Sequence, residues 1–205
     1  MRQLNPSFAS LRKGTFKQGI DFGHDPQGKI LGILGMGRIG RAVKRRAEPF
    51  GLKITYHNRQ PLSEELASGA RYVSFDQLLK ESDIISVHVP LSASTRHLIS
   101  VSEIAKMKQG VVIVNTARGA IIDEAAMAAA LKEGKIGAVG LDVYENEPEI
   151  HPDLITQQRA LLVPHLGTHT TETLAKMETL AMENARRAVC GEELLTIVPE
   201  HLPKS

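Results

Sequence analysis

The chain has 205 residues, enough for one sizeable core, with 42% hydrophobic residues and a formal net charge of +2. Basic and acidic residues are interspersed and aromatic content is only 4% without tryptophan, which excludes the charge blocks and stacking platforms of a nucleic-acid or anionic-membrane binder. No apolar run reaches membrane-spanning length and the opening Met1-Arg2-Gln3-Leu4-Asn5-Pro6 has no signal-peptide core, so a cytoplasmic location is the default expectation.

Residues 1–27 contain Asn5-Pro6 and Asp25-Pro26 and read as a short helix followed by an irregular linker, too small for a core of its own. Strands and helices then alternate: strand 30–34, helix 38–50, strand 52–56, helix 63–68, strand 71–73, helix 75–80, strand 84–89 and helix 102–106. Strand 111–115, helix 124–133, strands 138–143 and 161–163, and a long helix 171–190 complete the series. Short strands rich in Val, Ile and Leu between helices imply a parallel sheet covered on both faces, wound by right-handed crossovers into a doubly wound α/β fold. Asp123 is placed to cap the alanine-rich helix and Gly134 to end it. In the last helix Leu174, Met177, Met182 and Ala185 are the apolar positions, and residues 194–198 read as a strand or an arm. The single cysteine, Cys190, lacks a disulfide partner and reads as a packing residue; the histidines lack zinc-ligand spacing, so no metal is expected.

The first strand runs into Gly35-Met36-Gly37-Arg38-Ile39-Gly40 and a helix. In a dinucleotide site Gly35 permits the tight turn, Gly37 lets backbone approach a pyrophosphate, and Gly40 lets the helix pack closely on the strand. Ile39, Val43 and Ala47 are expected on one helical face. The bland alternative is a tight strand-to-helix turn without a ligand. An acidic residue about 20 positions beyond such a motif normally holds the adenosine ribose. Here the second strand ends His57-Asn58-Arg59-Gln60, where Arg59 suits a 2′-phosphate and Asn58 adds a neutral hydrogen bond. The expectation is NADP(H) over NAD(H), with NAD(H) possible; the alternative is a solvated Arg59 and a relaxed cofactor choice. His57 reads as a spacer at the strand end, and Pro90 lies at another carboxyl edge of the sheet.

Arg118 in Asn115-Thr116-Ala117-Arg118-Gly119, Glu147 in the stretch from Asp142 to Pro148, and His165 in Pro164-His165-Leu166-Gly167 each follow a strand. Singly they read as a surface charge, a turn and a capped loop. Jointly, an arginine, a carboxylate and a histidine at the carboxyl ends of neighbouring parallel strands converge on one crevice.

With the glycine motif, His88-Val89-Pro90-Leu91 and Thr95, these phrases cover residues 28–170 in order, and the chain resembles the D-isomer-specific 2-hydroxyacid dehydrogenases, in particular the glyoxylate/hydroxypyruvate reductase branch. The resemblance implies a Rossmann-like NADP-binding domain over 28–170, with 1–27 a remnant of an interdomain helix and 171–205 the C-terminal helix and tail of a substrate domain. It further implies that Arg118 holds the carboxylate and carbonyl of a 2-keto acid, that His165 protonates the carbonyl oxygen and that Glu147 keeps His165 protonated. Thr116 and Asp142 would lie near the nicotinamide end, Gly35, Gly37, Arg38 and Ile39 on the phosphates, and Pro90, Thr95, His165 and Gly167 would also bind the cofactor. Members resemble two-domain homodimers whose first segment builds the substrate side, and that segment is expected to be missing here. Two functions therefore stand: a reductase of small 2-keto acids, or a cofactor-binding, subunit-pairing module with weak or no turnover. A short-chain dehydrogenase is disfavoured because no tyrosine has a lysine four residues on.

Overall fold

An apolar pentapeptide, Ile30–Leu34 (β1), is an interior strand of a seven-stranded sheet in which every strand pairs in parallel with its neighbours. The other strands are Lys53–His57 (β2), Arg71–Tyr72 (β3), Ile84–Val87 (β4), Val111–Asn115 (β5), Ile136–Leu141 (β6) and Ala160–Leu162 (β7). They lie in the order β3-β2-β1-β4-β5-β6-β7. The chain thus winds outward from β1 in one direction, returns to β4 beside it, and winds outward in the other, leaving a switch point between β1 and β4. This is the doubly wound, Rossmann-like α/β architecture. The computed structural model describes residues 1–198 and divides the chain into two compact units, Met1–Pro164 and His165–Ser205.

The helices of the first unit are Leu4–Arg12 (α1), Arg38–Ala47 (α2), Glu64–Ala67 (α3), Phe75–Glu81 (α4), Val101–Lys106 (α5), Glu124–Glu133 (α6) and Pro152–Ile155 (α7). One cluster of Ile85, Val87, Ile113, Leu131 and their neighbours fills the space beneath α4, α5 and α6, and a second forms around Leu31, Ile33 and Tyr56. Burial of these side chains is the main source of stability. Local signals fix the ends: Ser74 and Gln77 form a capping box on α4, Asp123 accepts from the Ala126 N–H at the start of α6, and Gly134 ends it at φ 82°. Asn5 Nδ2 donates to the Gln158 and Ala160 carbonyls at 3.2 and 3.1 Å, seating α1 beside β7.

Several boundaries differ from expectation. The helix expected over 38–50 splits at Pro49 into α2 and a 3-10 turn, Glu48–Phe50, because proline has no N–H to continue the ladder. Ile39 is 64% exposed, and α2 turns Gly40, Lys44 and Ala47 inward instead. A 3-10 turn at Gly119–Ile121 and the four-residue α7 were not foreseen; both are too short to carry a hydrophobic period.

The second unit is dominated by one helix, Thr171–Cys190 (α8), capped by Thr170 and ended by Gly191 at φ 70°. None of its residues is buried, and Leu174, Met177, Met182 and Ala185 are exposed. Cys190 is also exposed, not packed as expected, at the polar end of the helix beside Arg186. Residues 194–198 form no strand. They turn back along α8, where Asn184 Oδ1 accepts from the Leu195 N–H at 2.9 Å and its Nδ2 donates to Thr196 Oγ1 at 2.8 Å. No described helix is long and apolar enough to cross a membrane.

Candidate active site

The turn after β1 is shaped by sterics. Gly35 has φ 98°, and a Cβ there would stand 2.7 Å from the His88 carbonyl carbon and the Val89 nitrogen. A Cβ on Gly40 would stand 2.4 Å from the Gly35 carbonyl oxygen. Both positions admit only glycine without a backbone shift. Gly37, the residue before α2, has no protein atom within 4 Å of where a Cβ would be. The ten-residue α2 begins with no side-chain cap and no acidic residue in its first turn, and Arg38 and Ile39 are exposed there. An uncapped helix N-terminus behind a side-chain-free turn suits an anionic group such as a pyrophosphate, so these residues fit a dinucleotide.

The turn is tied to the end of β2. The Gly35 N–H donates to the His57 carbonyl at 3.0 Å, and the Met36 N–H donates to Asn58 Oδ1 at 2.7 Å. Asn58 is therefore first a brace for the glycine turn, with its Nδ2 donor left over for a ligand. Arg59 follows it, exposed, with no hydrogen bond or ion pair to another described residue. His57 closes β2: its Nδ1 lies 2.9 Å from the Val73 carbonyl, and its ring packs against Tyr72 and Phe75.

Beyond β4, burial holds the His88 imidazole down at about 4, and its Nε2 lies 2.8 Å from Ser86 Oγ. Pro90 and Thr95 are brought together: Thr95 Oγ1 donates to the Pro90 carbonyl at 2.6 Å and accepts from the Ser92 N–H at 2.8 Å. This folds the loop back on itself.

The exits of β5 and β6 form a third group. Asn115 is buried; its Oδ1 accepts from the Ala117 N–H at 3.0 Å and its Nδ2 donates to the Arg118 carbonyl at 2.9 Å. Thr116 and Arg118 are exposed on that braced loop, and the Arg118 guanidinium lies 2.6 Å from the Ala117 carbonyl. The Asp142 N–H donates to the Asn115 carbonyl at 3.0 Å, and a Cβ on Gly119 would collide with the Tyr144 backbone, so the two loops are locked edge to edge. Asp142 is buried. Glu147 is exposed, and its Oε1 accepts from the Tyr144 N–H at 3.0 Å. The Tyr144 hydroxyl donates to the Val163 carbonyl at 2.9 Å, and its pKa is raised chiefly by burial and then by Asp142 and Glu124. Asn115, Tyr144 and Glu124 were given no role from the sequence; a polar residue closing an otherwise apolar strand is the signal that marks Asn115.

His165 and Gly167 open the second unit. Both are exposed, and His165 adopts φ 53°, a left-handed conformation that a residue with a side chain rarely takes. The Leu166 carbonyl accepts from the His169 N–H at 3.0 Å, closing a short turn. Among the described residues no group of three or more His, Cys, Asp or Glu is placed to hold a metal ion.

The family described as D-isomer specific 2-hydroxyacid dehydrogenase, NAD binding domain, matches residues 1–167. The chain is 52% identical over 200 residues to 4-methyl-2-oxopentanoate reductase A of Aspergillus oryzae, covering 98% of this chain and 61% of that protein. It is 54% identical over 183 residues to glyoxylate reductase 1 of Saccharomyces cerevisiae, covering 89% of this chain and 52% of the relative. A crystal structure of a glyoxylate reductase from Paecilomyes thermophila superposes with a TM-score of 0.96 at 56% identity, over 98% of this chain and 61% of that one. The chain thus spans roughly three fifths or less of the length of these relatives. With its glycine turn at the head of α2 and its parallel strands wound outward from β1 and β4, the chain belongs to the D-isomer specific 2-hydroxyacid dehydrogenase family, of which it carries the NAD-binding domain.

Proposed function

We propose that this chain is the cofactor-binding part of an oxidoreductase that transfers hydride between NADP(H) and a small 2-keto acid of the glyoxylate or hydroxypyruvate type. The observation that carries the reading is the Arg118 loop, braced by buried Asn115 and fastened to the Asp142 strand on the same sheet edge as the glycine turn. A guanidinium is the natural clamp for a planar carboxylate, and fixing its loop orients the keto acid before reaction.

In this proposal the backbone of Gly35, Gly37, Arg38 and Ile39 receives the pyrophosphate. Arg59 and the Asn58 amide hold the 2′-phosphate, which gives the preference for NADP(H). Thr116, Asp142, Pro90 and Thr95 border the nicotinamide, and Gly167 leaves room beside His165. The reduced nicotinamide, when bound, supplies the hydride. Arg118 binds the carboxylate and polarises the carbonyl, His165 donates the proton to its oxygen, and Glu147 favours the protonated imidazole. Exposed Leu4, Phe8 and Leu11 on α1 support a second proposal, a homodimer; a monomeric mass in light scattering overturns it.

The decisive test follows NADPH and NADH oxidation by the purified protein with glyoxylate and with hydroxypyruvate. The expected result is turnover favouring NADPH, a fall of about a hundredfold in Arg118→Ala, and loss of the NADPH preference in Arg59→Ala. Saturable NADPH binding without turnover supports the second reading, a cofactor-binding and subunit-pairing module.

A further inference from the structure

Glu124 is a carboxylate in an unusual place. It is the first residue of α6 and only 6% exposed, beneath the loop that leaves β6. One oxygen, Oε2, accepts from the Glu145 N–H at 2.8 Å; the other, Oε1, accepts from the His151 N–H at 2.9 Å. The two amides bracket Glu147 in the chain. Between them the Glu149 N–H donates to the Asn146 carbonyl at 2.9 Å, closing the tip of the loop. A buried carboxylate is costly unless its oxygens are satisfied. Here the amides at the two ends of one loop satisfy it.

The Glu145 side chain serves a different end. Its Oε1 lies 2.9 Å from Arg96 Nη2 and 2.6 Å from His97 Nε2, linking this loop to the one after β4. Glu124 thus joins both ends of the loop that displays Glu147.

We propose that Glu124 is a positioning residue for Glu147: it sets the span of residues 145–151 and so the place from which the Glu147 carboxylate acts. This inference rests on the role given to Glu147 above. It needs a carboxylate because two equivalent acceptor oxygens face two N–H donors. Glu124→Gln has the same shape but turns an NH2 group toward one of those donors, releasing one anchor.

The test is a double-mutant cycle of Glu124→Gln with Glu147→Gln, following glyoxylate-dependent NADPH oxidation and the thermal midpoint of each variant. The expected result for Glu124→Gln is a fall in kcat of about ten- to a hundredfold, the scale set by small misplacements in an active site, with the KM for NADPH unchanged. In the Glu147→Gln background the same substitution should cost almost nothing further. His151→Pro provides an independent variant: His151 has φ −55°, which proline adopts, and the change removes one of the two N–H donors while leaving Glu124 intact. It should lower kcat in the same manner. A Glu124→Gln loss that persists undiminished without Glu147, or no loss in Glu124→Gln and His151→Pro while Glu147→Gln does lower turnover, overturns the inference while leaving the role of Glu147 standing. Turnover indifferent to Glu147→Gln overturns that role, and the inference with it.

Discussion

Thr55 is buried on β2, and its hydroxyl finds no hydrogen-bond partner among the described residues. An unmatched buried hydroxyl costs more than a methyl of the same shape, so Thr55→Val should raise stability by about 1 kcal/mol, read as a higher urea midpoint. His88 makes the opposite kind of demand. Its pKa is lowered from the ordinary 6.5 to about 4 by burial, so the unfolded chain binds the proton first as pH falls. The stability it supports is complete above pH 6.5 and drains away between there and about 4. Replacing it with Gln should flatten stability against pH in that window, as measured by urea unfolding at a series of pH values. At this scale Gly40 and the turn at Gly35 were legible in the sequence because their constraint is local: a Cβ on Gly40 would meet the Gly35 carbonyl five residues back, and Gly35 takes φ 98° in its own turn, whereas the second reason for glycine at 35, the backbone of His88 and Val89, lies far along the chain. The main task of Asn58, accepting from the Met36 N–H, was not legible, because it depends on how β2 comes to lie beside β1. Ile39 was misplaced for a related reason. Periodicity cannot tell that a helix will lean on its glycine.

The elements of the first unit end where their caps put them, and α6 is the clearest case. Asp123 accepts from the Ala126 N–H at 3.0 Å and from Ser100 Oγ at 2.8 Å. Its carboxyl is held below the ordinary 3.8, first by the Ala126 N–H against a smaller opposing effect of burial, and then by Ser100. The sign is that of a depressed acid: the stabilisation is whole above pH 3.8 and is lost as pH falls through the lowered folded value. Asp123→Ala should cost about 1 kcal/mol at neutral pH, whereas Asp123→Asn should keep most of the cap and lose its acid dependence, both checked by chemical denaturation. Cap residues and strand runs were legible because they are written within a few consecutive residues. The 3-10 turn at Gly119–Ile121 and α7 were not, since a single helical turn leaves no repeat to read. The fate of residues 194–198 hung on one asparagine, Asn184, eleven residues back from Leu195 on α8.

Across the whole molecule, both apolar clusters draw only on residues up to Leu162. Residues 1–164 should therefore fold without the second unit and unfold in a single cooperative transition, which circular dichroism of the truncated chain would test; a molten, non-cooperative melt would contradict it. A parallel, doubly wound sheet was legible from the alternation of strands and helices. The order of the strands was not, because β1 pairs with β4 across a long stretch of intervening chain, and nothing local records that pairing. The opposite rim of the sheet is fastened by Asp83, which accepts from the Ile30 N–H at 2.8 Å and from Lys108 at 2.9 Å. Since all strands point one way, the loops that follow His57, Val87, Asn115 and Leu141 share one rim, and the Asp83 fastening lies on the other. A lineage can thus rewrite one rim for a new substrate and leave the other untouched, so that inherited foldability and acquired chemistry travel at opposite ends of the same strands.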